Sequence, residues 1–291
     1  MKKDKLHIHW YPGHIAKAER QLKEKLNLVD VVIEVRDARI PLSSSYTNIK
    51  KLLGDKPRLL LLNKADLVDK EELKQWVAYL KKTTNCPVII TDAKGAKDLA
   101  LVVKHAVDLA EPRIQALMAK GLLRRAARAM VVGMPNVGKS SVINKLTKSS
   151  KTKIGAKAGV TRQQQWVRIN PKLDLLDTPG IIPTKQEDQV QAAKLAFVSS
   201  VSENAYSPEL VAQALLDMLG EKYKQVVSEF YKVEELTLYN IAESRNWILK
   251  ADSLDTERTA KYVLKDFRDG RLGNFILDEL PLAEDENTSS N

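Results

Sequence analysis

The sequence predicts an α/β fold, a doubly wound and mostly parallel sheet, followed by an all-α C-terminal domain. Three observations carry that prediction. Short leucine- and valine-rich runs alternate with amphipathic helical stretches through the first two thirds of the 291 residues. A glycine-rich turn at 133–140 (GMPNVGKS) follows one such run and opens a helix. Beyond about residue 186 the strand signals stop and only helical patterns remain.

In chain order, HWYPGHIAKAERQLKEKL (9–26) reads as an aromatic turn and a basic helix. Residues 28–38 (LVDVVIEVRDA) form a buried strand and 58–66 (RLLLLNKAD) a second strand ending in a polar loop. An amphipathic helix follows at 71–82, then a third strand with a turn at 87–95 (PVIITDAKG). A long helix over about 98–120 stops at Gly121, suited to the left-handed conformation of a helix end. Residues 127–146 read strand, loop, helix, and 163–169 and 172–180 are two more strands. Of the helices that follow, one has Ser207 as N-cap with Pro208 in its first position, and the last stops at Gly270. The expected organisation is a sheet domain at 1–185, a helical domain at 186–280 and a polar, disordered tail at 281–291.

No apolar run approaches the roughly 18 residues a membrane span needs, and the N-terminus lacks the apolar segment of a secretory signal. The single cysteine, Cys86, excludes an internal disulfide and reads as a buried apolar side chain. A cytoplasmic protein without membrane contact is expected. The formal net charge is +10, and its distribution is uneven: residues 113–173 hold 14 Lys and Arg and no carboxylate. A one-sign field of this kind attracts polyanions.

The glycine-rich turn carries phosphate chemistry. Its glycines let the loop curl so that successive N–H groups, from Asn136, Val137 and Gly138 to Ser140 and Ser141, face a phosphate. Lys139 then reaches the β- and γ-phosphates and Ser140 binds Mg²⁺. Asn63-Lys64-Ala65-Asp66 selects the base. A carboxylate at Asp66 accepts two N–H bonds from the N1 and N2 edge of guanine; adenine would leave it unpaired. The stem of Lys64 can lie over the base, and Asp92-Ala93 supports it through the backbone. Asp177, in DTPG, is placed to hold Mg²⁺ through water, Gly180 to meet the γ-phosphate with its N–H, and Thr161 to close the metal shell. GTP is favoured over ATP.

The order of these motifs is permuted. In ordinary GTPases the phosphate loop comes first and NKxD late; here NKAD at 63 and TDAKG at 91 precede the phosphate loop at 133, GVT at 159 and DTPG at 177. The permutation preserves the sheet but opens new chain ends beside the second switch. The chain after DTPG therefore feeds into the helical domain, which should feel loss of the γ-phosphate.

This order, with the N-terminal WYPGH at 10–14 and the helical C-terminal domain, resembles the circularly permuted GTPases of ribosome assembly. It is most similar to the bacterial YlqF/RbgA-like family that acts late in large-subunit maturation, over about residues 10–277. The resemblance implies a P-loop GTPase sheet in circularly permuted order. It also implies GTP-state binding to the precursor of the large ribosomal subunit and its rRNA, and ribosome-stimulated hydrolysis that aids release. A monomer is expected. Asp92 stands where the family usually has Ser, and Ala158 where Pro often precedes the GxT element.

Ordinary GTPases orient the attacking water with a Gln after DxxG. Ile181 occupies that position and cannot. His14 is the candidate replacement: a neutral imidazole can accept a proton from, or orient, a water near the γ-phosphate, and the resemblance points to the same residue. The alternative is that His14 only caps a turn. In related GTPases lacking the glutamine, an Asn at the position of Asn136 helps bind K⁺; otherwise Asn136 shapes the loop.

RNA-binding candidates are Lys17 and Arg20 on the first helix, Lys151, Lys153 and Lys157 in the first switch, and Lys261, Lys265 and Arg268 in the last helix. Tyr262 and Phe267, interleaved with the last group, either stack bases or belong to the core. Two readings compete with an assembly GTPase: a regulatory switch whose helical domain binds a protein, and an RNA-binding protein in which GTP is structural.

Overall fold

The computed structural model describes residues 8, 12–92, 98–149, 166–177, 180–181, 188–249 and 253–281. Ala93, Lys151, Lys153, Lys157 and Thr161 lie outside these, as do residues 9–11 and the expected tail from 282 onward. His14, Gly180 and Ile181 are described in backbone only.

The first part of the chain runs α1 (Pro12–Leu26), β1 (Val31–Asp37), α2 (Ile49–Leu53), β2 (Arg58–Asn63), α3 (Lys70–Thr84), β3 (Val88–Ile90) and α4 (Leu99–Ala119). It continues with β4 (Ala127–Gly133), α5 (Lys139–Ser149), β5 (Trp166–Asn170), β6 (Leu173–Leu176) and β7 (Gly180–Ile181). The helical part is α6 (Gln189–Phe197), α7 (Pro208–Tyr231), α8 (Leu238–Ser244) and α9 (Thr256–Arg268).

The strands form one sheet in the order β3-β2-β1-β4-β6-β5, with β7 paired to β4. Among the described strands of this sheet only the β5–β6 hairpin is antiparallel; β1 to β4, β6 and β7 pair in parallel. Chain order therefore steps outward from β1 to β3, returns through α4 to β4 at the centre, and then builds the other flank. Such a reversal makes a switch point, and in open α/β sheets ligands bind at the carboxyl ends of the strands there. Every residue of β1 is buried, as helix cover on both faces of a parallel sheet demands.

Capping explains several of the helix starts. Asp69 accepts N–H bonds from Glu71 and Glu72 at the head of α3, and Ser207 accepts from Leu210 N–H with Pro208 behind it. Helix α7 runs to Tyr231, with a break at Tyr223 (φ −128°). Helix α2 and strand β7 have no clear sequence signal, being five and two residues long. Cys86 is half-buried rather than buried, 3.0 Å from the Thr84 hydroxyl.

One hydrophobic cluster runs without a break from the sheet (Val32, Ile33, Val131) through Leu195 and Phe197 to Leu215, Val263 and Phe267 of the helical part. A second, on the α3 side, joins Leu60, Leu62, Trp76 and Leu80 to Ile276. Ile276 lies in a segment after α9 that doubles back onto the sheet. There Leu277 N–H donates to Arg39 O at 2.8 Å. Asp278 is the anchor: its carboxylate accepts from Leu42 N–H, Ser43 N–H, Ser43 Oγ and Lys194 Nζ at 2.6–3.1 Å. No helix among the described residues is long and apolar enough to cross a membrane.

Candidate functional site

The described residues among those predicted to bind nucleotide, Asn63, Lys64, Asp66, Asp92 and 136–141, lie at the carboxyl edge of the sheet. Strand β4 ends at Gly133, and α5 opens at Lys139 with its first amides free of intrahelical partners, the arrangement that receives a phosphate. Two glycines are obligatory. A Cβ at Gly133 would lie 2.5 Å from the Val35 carbonyl oxygen. At Gly138 (φ +99°) it would meet the Asn63 amide nitrogen at 2.1 Å, on a backbone that side chains rarely adopt. Lys139 is buried and donates to the Met134 carbonyl at 2.6 Å. Burial pushes its ammonium down to about 8. The loop thus holds its own lysine until a phosphate offers a better partner. Ser140, Ser141 and Asn136 are exposed.

Asn63 ends β2 and ties the guanine loop to the phosphate loop. Its Nδ2 donates to Val137 O at 2.9 Å, and its Oδ1 accepts from Thr91 Oγ1 at 3.2 Å. Lys64 has a left-handed backbone (φ +63°) and pairs through Nζ with Asp37 at 2.8 Å. Asp66, one residue into a short 3₁₀ turn, is exposed. The carbonyl of Asp92 accepts from Lys145 Nζ at 2.8 Å, which ties the third guanine element to α5.

Sequence reasoning missed the pair beneath this loop. Asp37 is fully buried, and its carboxylate receives Arg39 as a fork at 2.8–3.0 Å, sharing its Oδ2 between Arg39 and Lys64. Burial by itself would raise this carboxyl; Arg39 and then Lys64 hold it well below the usual carboxylate range. Arg39 in turn lies over the Phe267 ring, 5.2 Å from its centroid, and reaches the Arg268 carbonyl at 3.5 Å. The signal was present as charges inside an apolar strand: Asp30, Glu34, Arg36 and Asp37 interrupt 28–38 and are all buried. Buried charges must be paired, and Glu34 takes Arg36 at 2.7 Å and Arg58 at 2.9 Å.

A second connection leaves the phosphate loop itself. Asn136 (φ +58°) donates from Nδ2 to Ser199 O at 2.6 Å, and Ser200 Oγ donates to Pro135 O at 2.7 Å. Both serines sit in the turn after α6. Arg268 braces that turn, donating to Phe197 O at 2.9 Å, Ala196 O at 3.0 Å and Tyr206 OH at 3.3 Å. Its guanidinium, placed by sequence among the RNA candidates, is engaged inside the protein. Lys261 and Lys265 are exposed and pair along α9 with Glu257 and Asp269 at 2.5 and 2.7 Å. Such surface pairs are weak and readily exchanged for phosphate. Lys17 and Arg20 are exposed on α1. Phe267 is core, whereas Tyr262 is exposed and packs on Trp247 at 4.8 Å between centroids.

For a metal, Ser140 and Asp177 are exposed oxygen donors at the carboxyl ends of β4 and β6, which pair directly. Hard oxygen donors in so small a number suit Mg²⁺, which keeps most of its shell as water and phosphate oxygen.

The comparisons with known proteins agree with this geometry. A family model described as a 50S ribosome-binding GTPase matches residues 128–244. Ribosome biogenesis GTPase A of Bacillus cereus is 39% identical over 93% of this chain and 93% of its own length; that of Thermotoga maritima is 33% identical over 91% and 92%. Among solved structures, a GDP-bound YlqF superposes with a TM-score of 0.64 at 27% identity, covering 89% of this chain and 98% of that one. A GNP-bound YlqF from T. maritima gives 0.61 at 28% identity, over 88% and 95%. With its phosphate loop, its guanine loop and this likeness over nearly its whole length, the chain belongs to the ribosome biogenesis GTPase A family and is a GTP hydrolase acting in ribosome assembly.

Proposed function

We propose that the protein binds the precursor of the large ribosomal subunit, through its rRNA, while loaded with GTP, and leaves when GTP is hydrolysed. The observation that carries this reading is the direct connection from the phosphate loop to the helical part, Asn136 to Ser199 and Pro135 to Ser200, braced by Arg268. A phosphate that reorganises the loop acts on the helical part through two hydrogen bonds and one guanidinium, with no linker between.

In this reading Asp66 recognises guanine, Lys64 covers it, Asp92 and Ala93 support it, and the amides of 136–141 with Lys139 bind the phosphates. Ser140, Thr161 and Asp177 hold Mg²⁺, which would neutralise charge developing on the phosphates. Asn136 would be a K⁺ ligand through its Oδ1, the amide held by the bond from its Nδ2 to Ser199 O. His14 orients the water. Support comes from the anchoring of its neighbourhood: Ile8 N–H donates to Gln189 Oε1 at 3.2 Å, just past the second switch, and α1 packs on β7. The polyanion partner is met by Lys17 and Arg20, the first-switch lysines 151, 153 and 157, and Lys261 and Lys265, with Tyr262 and Trp247 beside them. The expected units are 1–185 and 186–280, in a cytoplasmic monomer.

The test is co-sedimentation of the full chain with large-subunit precursors in a non-hydrolysable GTP analogue and in GDP. Binding with the analogue and its loss in GDP is expected. Equal binding in both states overturns the reading, and binding to a protein with no effect of subunits on turnover favours a regulatory switch instead.

A further inference from the structure

At the amino end of the sheet, on the far side from the nucleotide, lies a cavity of about 540 Å³ between α4 and the starts of β4 and β6. The length of β4 separates the two sites by roughly 20 Å at the rise of a strand. Arg124, Arg125, Arg128, Arg168 and Lys172 line it, against the carboxylates of Glu111 and Asp174. Even counting the buried Asp30 behind Arg125, five cations to three anions leave a positive excess that GTP, bound at the other end, has no use for.

The lining is also organised. Arg125 is fixed by a fork to the buried Asp30 at 2.7 and 2.9 Å, and Asp30 takes the Arg128 N–H at 2.8 Å as well. Arg128 lays its guanidinium over the Trp166 ring, 5.0 Å from the centroid, a flat cationic surface at the edge hairpin. Arg168 pairs with Asp174, and Arg124 with the exposed Glu111 at 2.8–2.9 Å. Lys172, in the exposed β5–β6 turn, is close enough to act on Glu111 as well. Beyond Lys172 the wall continues as a groove of about 570 Å³ floored by Leu99, Val103, Val107 and Ile169. Cations beside a stacked guanidinium, next to an apolar slot, match the alternation of phosphate and base in a single nucleic-acid strand.

We propose that this cavity is a second docking site, which takes a single-stranded RNA segment with its phosphates on Arg124, Arg128 and Lys172 and a base in the adjoining groove. The proposal rests on the reading of the protein as an rRNA-binding assembly factor and adds a surface remote from both the nucleotide and α9. The site would let the sheet domain hold RNA by its back while its carboxyl edge and the helical part respond to GTP.

Arg124 and Lys172 are exposed, so Arg124→Gln with Lys172→Gln removes two cations without opening the core. The measurement is fluorescence anisotropy of a labelled 12-nucleotide oligouridylate on the full chain, loaded with a non-hydrolysable GTP analogue, across a salt series. Expected are about tenfold weaker binding and a log–log salt slope shallower by about 1.4, the loss of two single-strand phosphate contacts, with GTP affinity unchanged. With 4-thiouridine in the oligomer, the wild type should crosslink to the peptide holding Trp166–Lys172. Unchanged affinity and slope, no binding by the wild type, or crosslinks confined to α9 each overturn the proposal. If the double variant loses subunit co-sedimentation while keeping oligouridylate affinity, the face docks a ribosomal protein and the RNA proposal fails. If the wild type does not co-sediment at all, the assembly reading fails, while the oligouridylate result still decides this site.

Discussion

At the scale of single residues, Lys139 has a direct electrostatic consequence. Its ammonium sits in the loop with a carbonyl for company and a pKa pushed down to about 8 by burial. The sign follows directly. A lysine depressed in the nucleotide-free state opposes folding while charged, and that cost fades as pH rises past 8 toward the unfolded value. Phosphates restore the charged form, so nucleotide binding must take up protons where the free lysine is partly neutral. Titration calorimetry at pH 8 in two buffers of different ionisation enthalpy should detect uptake of about half a proton, absent in Lys139→Met. His14 is the other residue-scale test. His14→Ala should lower subunit-stimulated kcat about 10²-fold while leaving GTP affinity nearly unchanged; full stimulated turnover would remove His14 from the chemistry.

At the scale of elements, one buried ion cluster and one guanidinium join pieces distant in sequence. Asp37 links β1 to the guanine loop through Lys64 and to α9 through Arg39. Asp37→Asn leaves Arg39 buried with only a neutral amide, and loss of a buried partner costs about 3–5 kcal/mol. Urea unfolding should read that loss, and guanine-nucleotide affinity should fall with it because Lys64 loses its support. The wild-type contribution of Asp37 is present above the unfolded carboxylate pKa and disappears only as pH falls through the lower folded one. Arg268 plays the matching role behind the phosphate loop. Arg268→Ala strips the Phe197 carbonyl of its donor, about 1–3 kcal/mol for a polar group left unsatisfied, while Ala196 O keeps the Ser199 N–H. It should also weaken the difference in subunit affinity between the GTP and GDP states, as co-sedimentation can measure.

On the scale of the whole molecule, sheet and helices share one contiguous core, and the segment after α9 returns to β1 and α3 through Leu277, Asp278 and Ile276. Parts so joined should unfold together. Calorimetry should give one endotherm, and GDP at about 100 times its Kd should stabilise it by about 2.7 kcal/mol. Two endotherms, with GDP moving only one, would mean that the helical part is energetically separate.

The sequence by itself determined most of the elements and the family's nucleotide chemistry. Alternating apolar runs gave the strands, Ser207-Pro208 and Gly270 bounded helices, and GMPNVGKS with NKAD named the nucleotide, because phosphate and guanine each demand particular atoms at short, local spacings. Only the tertiary structure decided what those atoms are tied to. Arg268 was legible as a cation but not as the brace of α6, and Asp37 as a charge in an apolar strand but not as the partner of Lys64 and Arg39. The return of 271–281 to the sheet has no periodic signature at all. Each depends on residues brought together across as many as 236 positions, and a pairing between distant positions leaves no trace in the local pattern of either one.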